Sequence, residues 1–206
     1  IIMQILAVDL GTDMVPALAL GVEQAEAGIM QRPPRFKSKP LLDGSLLLRA
    51  YGFLGLIEAV LGMTGFFLVW WSYGYGLEQL QSVAPAILSH GANATLVAIY
   101  AQATTMTLAA IVACQDGNVF ACRSEHTSIL RLGFFSNRLI WFGIAIEWAL
   151  IFAIIYVTPL RQIFSTAPLV SWQWLVLLAC PPLLLGAEEV RKAMSGKRRL
   201  STKGIV

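Results

Sequence analysis

Charge is what this 206-residue chain has least of. Asp, Glu, Lys and Arg make up 13% of it, against about 25% in soluble globular domains. Hydrophobic residues make up 57% and mean hydropathy is +0.68, which excludes intrinsic disorder. Cysteine is scarce too: Cys114, Cys122 and Cys180 form neither a CxxC pair nor an even disulfide set. The two histidines, His90 and His126, lie far apart, so a zinc-type ligand cluster is not expected. There is no GxxxxGK[ST] phosphate loop, no GxGxxG turn and no HExxH motif. Ser, Thr and His fall into no catalytic arrangement. The chain opens at Ile1 inside an apolar run, without a basic n-region or a small-residue cleavage site, so it does not read as a signal peptide. We read its start as a cut inside a longer protein.

What is present is a set of apolar stretches of 19 to 25 residues, at 1–21, 50–71, 91–115, 139–157 and 167–187. At 1.5 Å per residue each covers a hydrocarbon core of about 30 Å. The expected fold is therefore all-α: a polytopic membrane protein with a bundle of five transmembrane helices. Of the 15 Lys and Arg residues, 14 fall in the loops and tail of one side, and Arg161 alone on the other. The positive-inside rule makes the basic side cytoplasmic, with the N-terminus outside and the C-terminus inside a cell membrane. Trp70, Trp71, Tyr73 and Tyr75, and also Trp172 and Trp174, suit an interfacial belt. The Arg32-Pro33-Pro34-Arg35 run, continued by Lys37, Lys39 and Pro40, reads as a stiff solvated connector. Lipid is the expected partner. Nucleic acid is not, because topology already accounts for the basic clusters.

The informative residues are polar ones inside the spans. Asp9, Thr12 and Asp13 share one face of an ideal α-helix. A mid-membrane carboxylate costs about 2.5–3.5 kcal/mol on an insertion scale, and no cation lies in the same span to offset it. Gly11 lets the turn unwind, and Pro16 has no N–H for the carbonyl of Thr12. Freed carbonyls, a hydroxyl and two carboxylates make an all-oxygen shell suited to a hard cation. Gln115 and Asn118 lie three apart at the end of the third stretch. Glu58 and Glu147 are each flanked by apolar residues for about two turns, too deep for simple snorkelling. Two functional classes can be set against this pattern. A secondary transporter would show a second discontinuous segment matching Gly11–Pro16, and a passive membrane anchor would leave Asp9 and Asp13 unexplained.

The run Asp9-Leu10-Gly11-Thr12-Asp13-Met14-Val15-Pro16-Ala17, followed by Glu23-Gln24-Ala25-Glu26 and Ile29-Met30-Gln31-Arg32-Pro33-Pro34-Arg35, resembles the sixth transmembrane helix and following loop of a P-type cation-transporting ATPase. The sodium/potassium and proton/potassium branch is the nearest match. Ala50-Tyr51-Gly52-Phe53-Leu54-Gly55 resembles the start of helix seven, Gln115 through Ser128 the end of helix eight, Phe142-Gly143 through Glu147 helix nine, and Glu189-Val190-Arg191-Lys192 the end of helix ten. The resemblance covers nearly the whole chain. It implies that residues 1–206 are the C-terminal transport domain, with the cytoplasmic catalytic domains absent. It also implies that Asp9, Thr12, Asp13, Gln115, Asn118 and Glu147 bind the transported cation, Na+, K+ or Ca2+. ATP and Mg2+ would act only in the missing domains, and the remainder of the pump (helices one to five and those domains) would be the protein partner. Asn118 stands where the sodium/potassium pumps carry aspartate, which leaves one carboxylate fewer. The loop 72–90 is short, and no accessory subunit is assumed there.

Overall fold

The computed structural model describes residues 2–12, 14–25, 42–89, 91–125 and 127–203, with side chains placed as far as residue 194 except at 10 and 11. Asp13, the Arg32–Pro40 connector, His90 and His126 lie outside the described residues. All regular structure among those described is helical. The first span is interrupted. α1 (Ile2–Leu6) passes into a π-helical segment (Ala7–Thr12), and α2 (Met14–Leu20) follows. The second combines α3 (Gly44–Leu47), a π-helical segment (Leu48–Gly55) and α4 (Leu56–Ser72). After α5 (Leu77–Leu88) come α6 (Ala94–Cys122), the short α7 (Ile129–Leu132), α8 (Arg138–Tyr156), α9 (Thr158–Phe164) and α10 (Ser171–Lys203). Five helical stretches are long and apolar enough to cross a membrane: Ile2–Leu20, Gly44–Ser72, Ala94–Cys122, Arg138–Tyr156 and Ser171–Met194.

Local chemistry sets several of the boundaries. The Asn93 side chain accepts from the Leu96 N–H at 2.9 Å and starts α6, and Asn137 does the same for α8 through the Leu139 N–H. Ser165, at φ 51°, closes α9 in the left-handed conformation. α6 has apolar residues around its whole circumference, interrupted by a few polar ones, and is the axis of the bundle. Ile99, Ala103, Met106, Ala110, Ala113 and Cys114 are buried against α4 on one flank and α10 on the other. Small residues bring backbones together at its seams. A Cβ on Gly117 would stand 2.7 Å from the carbonyl oxygen of Pro181, so only glycine fits beneath the Pro181-Pro182 step of α10. Large apolar side chains left outside the bundle, such as Leu56 and Val60 on α4, Phe142 and Phe152 on α8, and Leu175 and Leu178 on α10, are exposed. An apolar surface of that extent suits hydrocarbon rather than water.

The two ends of the bundle differ. At one, Arg123 binds Glu23 through Nε and Nη2 (3.0 and 2.7 Å), and Asn137 donates to Glu23 at 2.9 Å. Nearby, the fully buried Glu188 accepts from Arg49 at 2.5 Å and from Arg191 at 2.7 Å, and Lys192 donates to the carbonyl of Ala121. At the other end, Tyr73 donates to Gln102, whose amide donates to the carbonyl of Pro168. There Gln4 donates to the carbonyl of Phe164 at 3.0 Å, tying α1 to the end of α9.

Candidate functional site

The first span carries the polar motif on a backbone that departs from α-helical geometry where the motif lies. Asp9 and Thr12 both belong to the π-helical segment Ala7–Thr12. A π turn closes on i+5 and not i+4, so residues three apart no longer stack on one face. Asp9 is accordingly exposed, while Thr12 is fully buried and donates its hydroxyl to the carbonyl of Val8 at 3.0 Å. The Asp9 carboxylate makes no hydrogen bond or ion pair with another described residue.

Close packing holds this interrupted span from behind. A Cβ on Gly143 of α8 would stand 3.1 Å from the nitrogen and 3.2 Å from the Cα of Pro16. Glycine thus lets the backbone of α8 touch the backbone that follows the motif, at the residue that cannot donate into the helix.

Gln115 and Asn118 come together on one side of α6. They line a cleft of ≈ 540 Å³ with Pro16 and Ala17 of α2, Tyr51 of the second π-helical segment and Glu58 of α4. The side-chain oxygen of Gln115 is buried there without a hydrogen-bond partner. Glu147 is brought to a different place. It is almost completely buried on α8, and its carboxyl meets that of Asp116 on the flank of α6 turned away from the cleft. Trp148 donates its indole N–H to Asp116 Oδ2 at 2.7 Å, while Asp116 Oδ1 is buried with no hydrogen-bond partner.

Asp116 is the residue that sequence reasoning missed. The apolar stretch of the sequence ends at Gln115, whereas α6 continues through Asp116 to Cys122. The signal that could have found it is the Ala113, Gly117 and Ala121 spacing, a small-residue stripe that continues the packed face beyond the polar step. Among the described residues no three His, Cys, Asp or Glu side chains gather as a metal group. The amide oxygens of Gln115 and Asn118 and the carboxylates of Asp9 and Glu58 are hard-cation donors.

Comparison with known proteins bears on what that ion chemistry belongs to. Residues 1–194 match the family model described as the C-terminus of cation-transporting ATPases. The calcium-transporting ATPase 1 of Schizosaccharomyces pombe is 34% identical over 192 residues, covering 92% of this chain and 18% of that protein. The probable cation-transporting ATPase F of Mycobacterium tuberculosis is 32% identical over 176 residues, 85% of this chain and 17% of the relative. The alpha-2 subunit of the sodium/potassium-transporting ATPase of Gallus gallus is 31% identical over 203 residues, 91% of this chain and 20% of the relative. The chain thus spans about a fifth of the length of the relatives it matches. Matched along nearly its full length, with five helices fit to span a membrane, it belongs to the C-terminal membrane region of the P-type cation-transporting ATPases.

Proposed function

We propose that this chain is the ion-binding transmembrane part of an ATP-driven cation pump. Asp9, Thr12 and Asp13 hold the transported cation, and Gln115, Asn118 and Glu147 contribute as secondary groups. The observation that carries the reading is Asp9: an outward-facing carboxylate without a described partner, on a π-helical interruption of an otherwise apolar span. A group so placed is tolerable in a membrane when a cation, a proton or a neighbouring helix completes it. The remainder of the pump supplies that neighbour, together with the ATP and Mg2+ chemistry. Na+, K+ and Ca2+ all fit an oxygen-rich shell.

The orientation follows from the polar end of the bundle. Arg49, Arg123, Arg191 and Lys192 meet there, which supports a cytoplasmic C-terminus and a multi-pass place in the cell membrane.

The test is cation dependence of phosphoenzyme formation in the full-length pump, run with sodium, potassium and calcium. Asp9→Asn and Asp13→Asn each remove one charge at constant size. Each should raise the half-maximal concentration of the transported ion about 10- to 150-fold, the loss of one charge-assisted contact of about 1.5–3 kcal/mol. Unchanged half-maximal concentrations in both variants sink the assignment.

A further inference from the structure

Glu58 plays no part in the site assigned above, yet its place in the fold is specific. It lies in the first turn of α4, directly after the π-helical segment Leu48–Gly55. One turn further along, Gly62 lets α4 approach α6. A Cβ on Gly62 would meet Thr107 at 3.6 Å and Ile111 at 3.7 Å, and the Thr107 hydroxyl donates to the Gly62 carbonyl at 3.3 Å. The helices run in opposite directions, so stepping back one turn on α4 from Gly62 reaches Glu58. Stepping forward one turn on α6 from Ile111 reaches Gln115. The close glycine contact therefore fixes Glu58 opposite Gln115.

We propose that Glu58 is a cation ligand, acting with Gln115 and Asn118 in the cleft between α2, α4 and α6. It is the one carboxylate among the described residues that line this cleft. The buried Gln115 side-chain oxygen, which lacks a hydrogen-bond partner, is a second oxygen on a residue that lines the same cleft. The volume of ≈ 540 Å³ holds a cation together with several waters at about 30 Å³ each. A single carboxylate with two amide oxygens and water suits a monovalent cation better than a divalent one, which gathers more charge. The α6 side of the cleft carries amides and no carboxylate, and Glu58 supplies the one negative charge from the facing helix.

The inference rests on the reading of this chain as the ion-binding part of a pump, but it fails separately from the assignment of Asp9. The experiment compares Glu58→Gln, Asn118→Asp and the double variant in the full-length pump, with Asp9→Asn alongside, reading the half-maximal sodium and potassium concentrations for phosphoenzyme formation and breakdown. Glu58→Gln should raise one of these about tenfold or more. Adding Asn118→Asp to it should restore most of the loss, because the carboxylate returns to the same cleft from α6. Glu58→Asp, which keeps the charge, should lie between wild type and Glu58→Gln; it supplies the comparison if Glu58→Gln fails to accumulate. Unchanged half-maximal concentrations in Glu58→Gln overturn the proposal even if Asp9→Asn is impaired. So does a loss that Asn118→Asp leaves in place. An effect of Glu58→Gln rescued by Asn118→Asp, with Asp9→Asn silent, upholds Glu58 and removes Asp9.

Discussion

At the end of the bundle that carries the basic residues, polar groups are completed within the chain. Glu23 accepts from Arg123 and Asn137, and Glu188 accepts from Arg49 and Arg191; among these groups Arg49 Nε is the exception, buried without a partner. Toward the middle of the helices the pattern inverts. Gln115 has a buried oxygen with no hydrogen bond, and Asp9 faces outward from a π-helical turn. The same kinds of atom, on the same helices, are treated in opposite ways. Groups that hold helices together find their partners in the fold. The groups we propose for the ion keep open positions, so that the cost of their burial would fall on the state in which the ion is absent.

The comparison is broken most directly at Glu188. Glu188→Ala leaves Arg49 and Arg191 without their shared carboxylate and should cost about 3–5 kcal/mol, the penalty of breaking a buried pair. The full-length pump should therefore denature at a clearly lower temperature in detergent, with half-maximal cation concentrations unchanged. A shift in cation affinity as large as that of Asp9→Asn would erase the distinction between the two regions.

Gly143→Ala sharpens it, because it acts at a seam shared by both. Its new Cβ would press on the Val15–Pro16 backbone at 3.1–3.3 Å, and overpacking of this kind costs about 1–3 kcal/mol. Thermal stability and cation affinity should fall together here, unlike at Glu188. Gly65→Ala, which meets only the flexible side chain of Met106 at its closest, should lower stability less and leave affinity alone.

The smallest effect is expected at Glu23. The Arg123 guanidinium holds its carboxyl below the usual carboxylate range, while burial works against it and pushes the value up. The stabilisation is complete above the unfolded-state value of about 4.3 and is lost as pH falls through the folded one. Glu23→Gln should lower stability by about 1 kcal/mol at neutral pH, and thermal melts should lose part of their acid dependence below the unfolded-state value.

Five spans were legible because each is a run of apolar residues of membrane length, a signal that needs no knowledge of packing. The Asp9–Pro16 motif was legible because carboxylates and proline are costly there. What escaped was set by tertiary contact. π-helical geometry at Ala7–Thr12 and Leu48–Gly55 has no apolar periodicity of its own, so an ideal helix wrongly put Asp9 and Thr12 on one face. Gln115, Asp116 and Asn118 read as the end of a span, whereas Gly117 packed under Pro181 carries the helix through them. Glu58 was visible as an anomaly, but its opposition to Gln115 depends on the α4–α6 register that Gly62 sets.

The interrupted first span is held near both of its ends as well as from behind at Pro16. Gln4 fastens one end to the Phe164 carbonyl, and Glu23, just beyond the other, is gripped by Arg123 and Asn137. A segment pinned at both ends resists sliding lengthwise as a whole. The π-helical turn lies between the pins, and a push delivered through Gly143 onto Pro16 lands beside it.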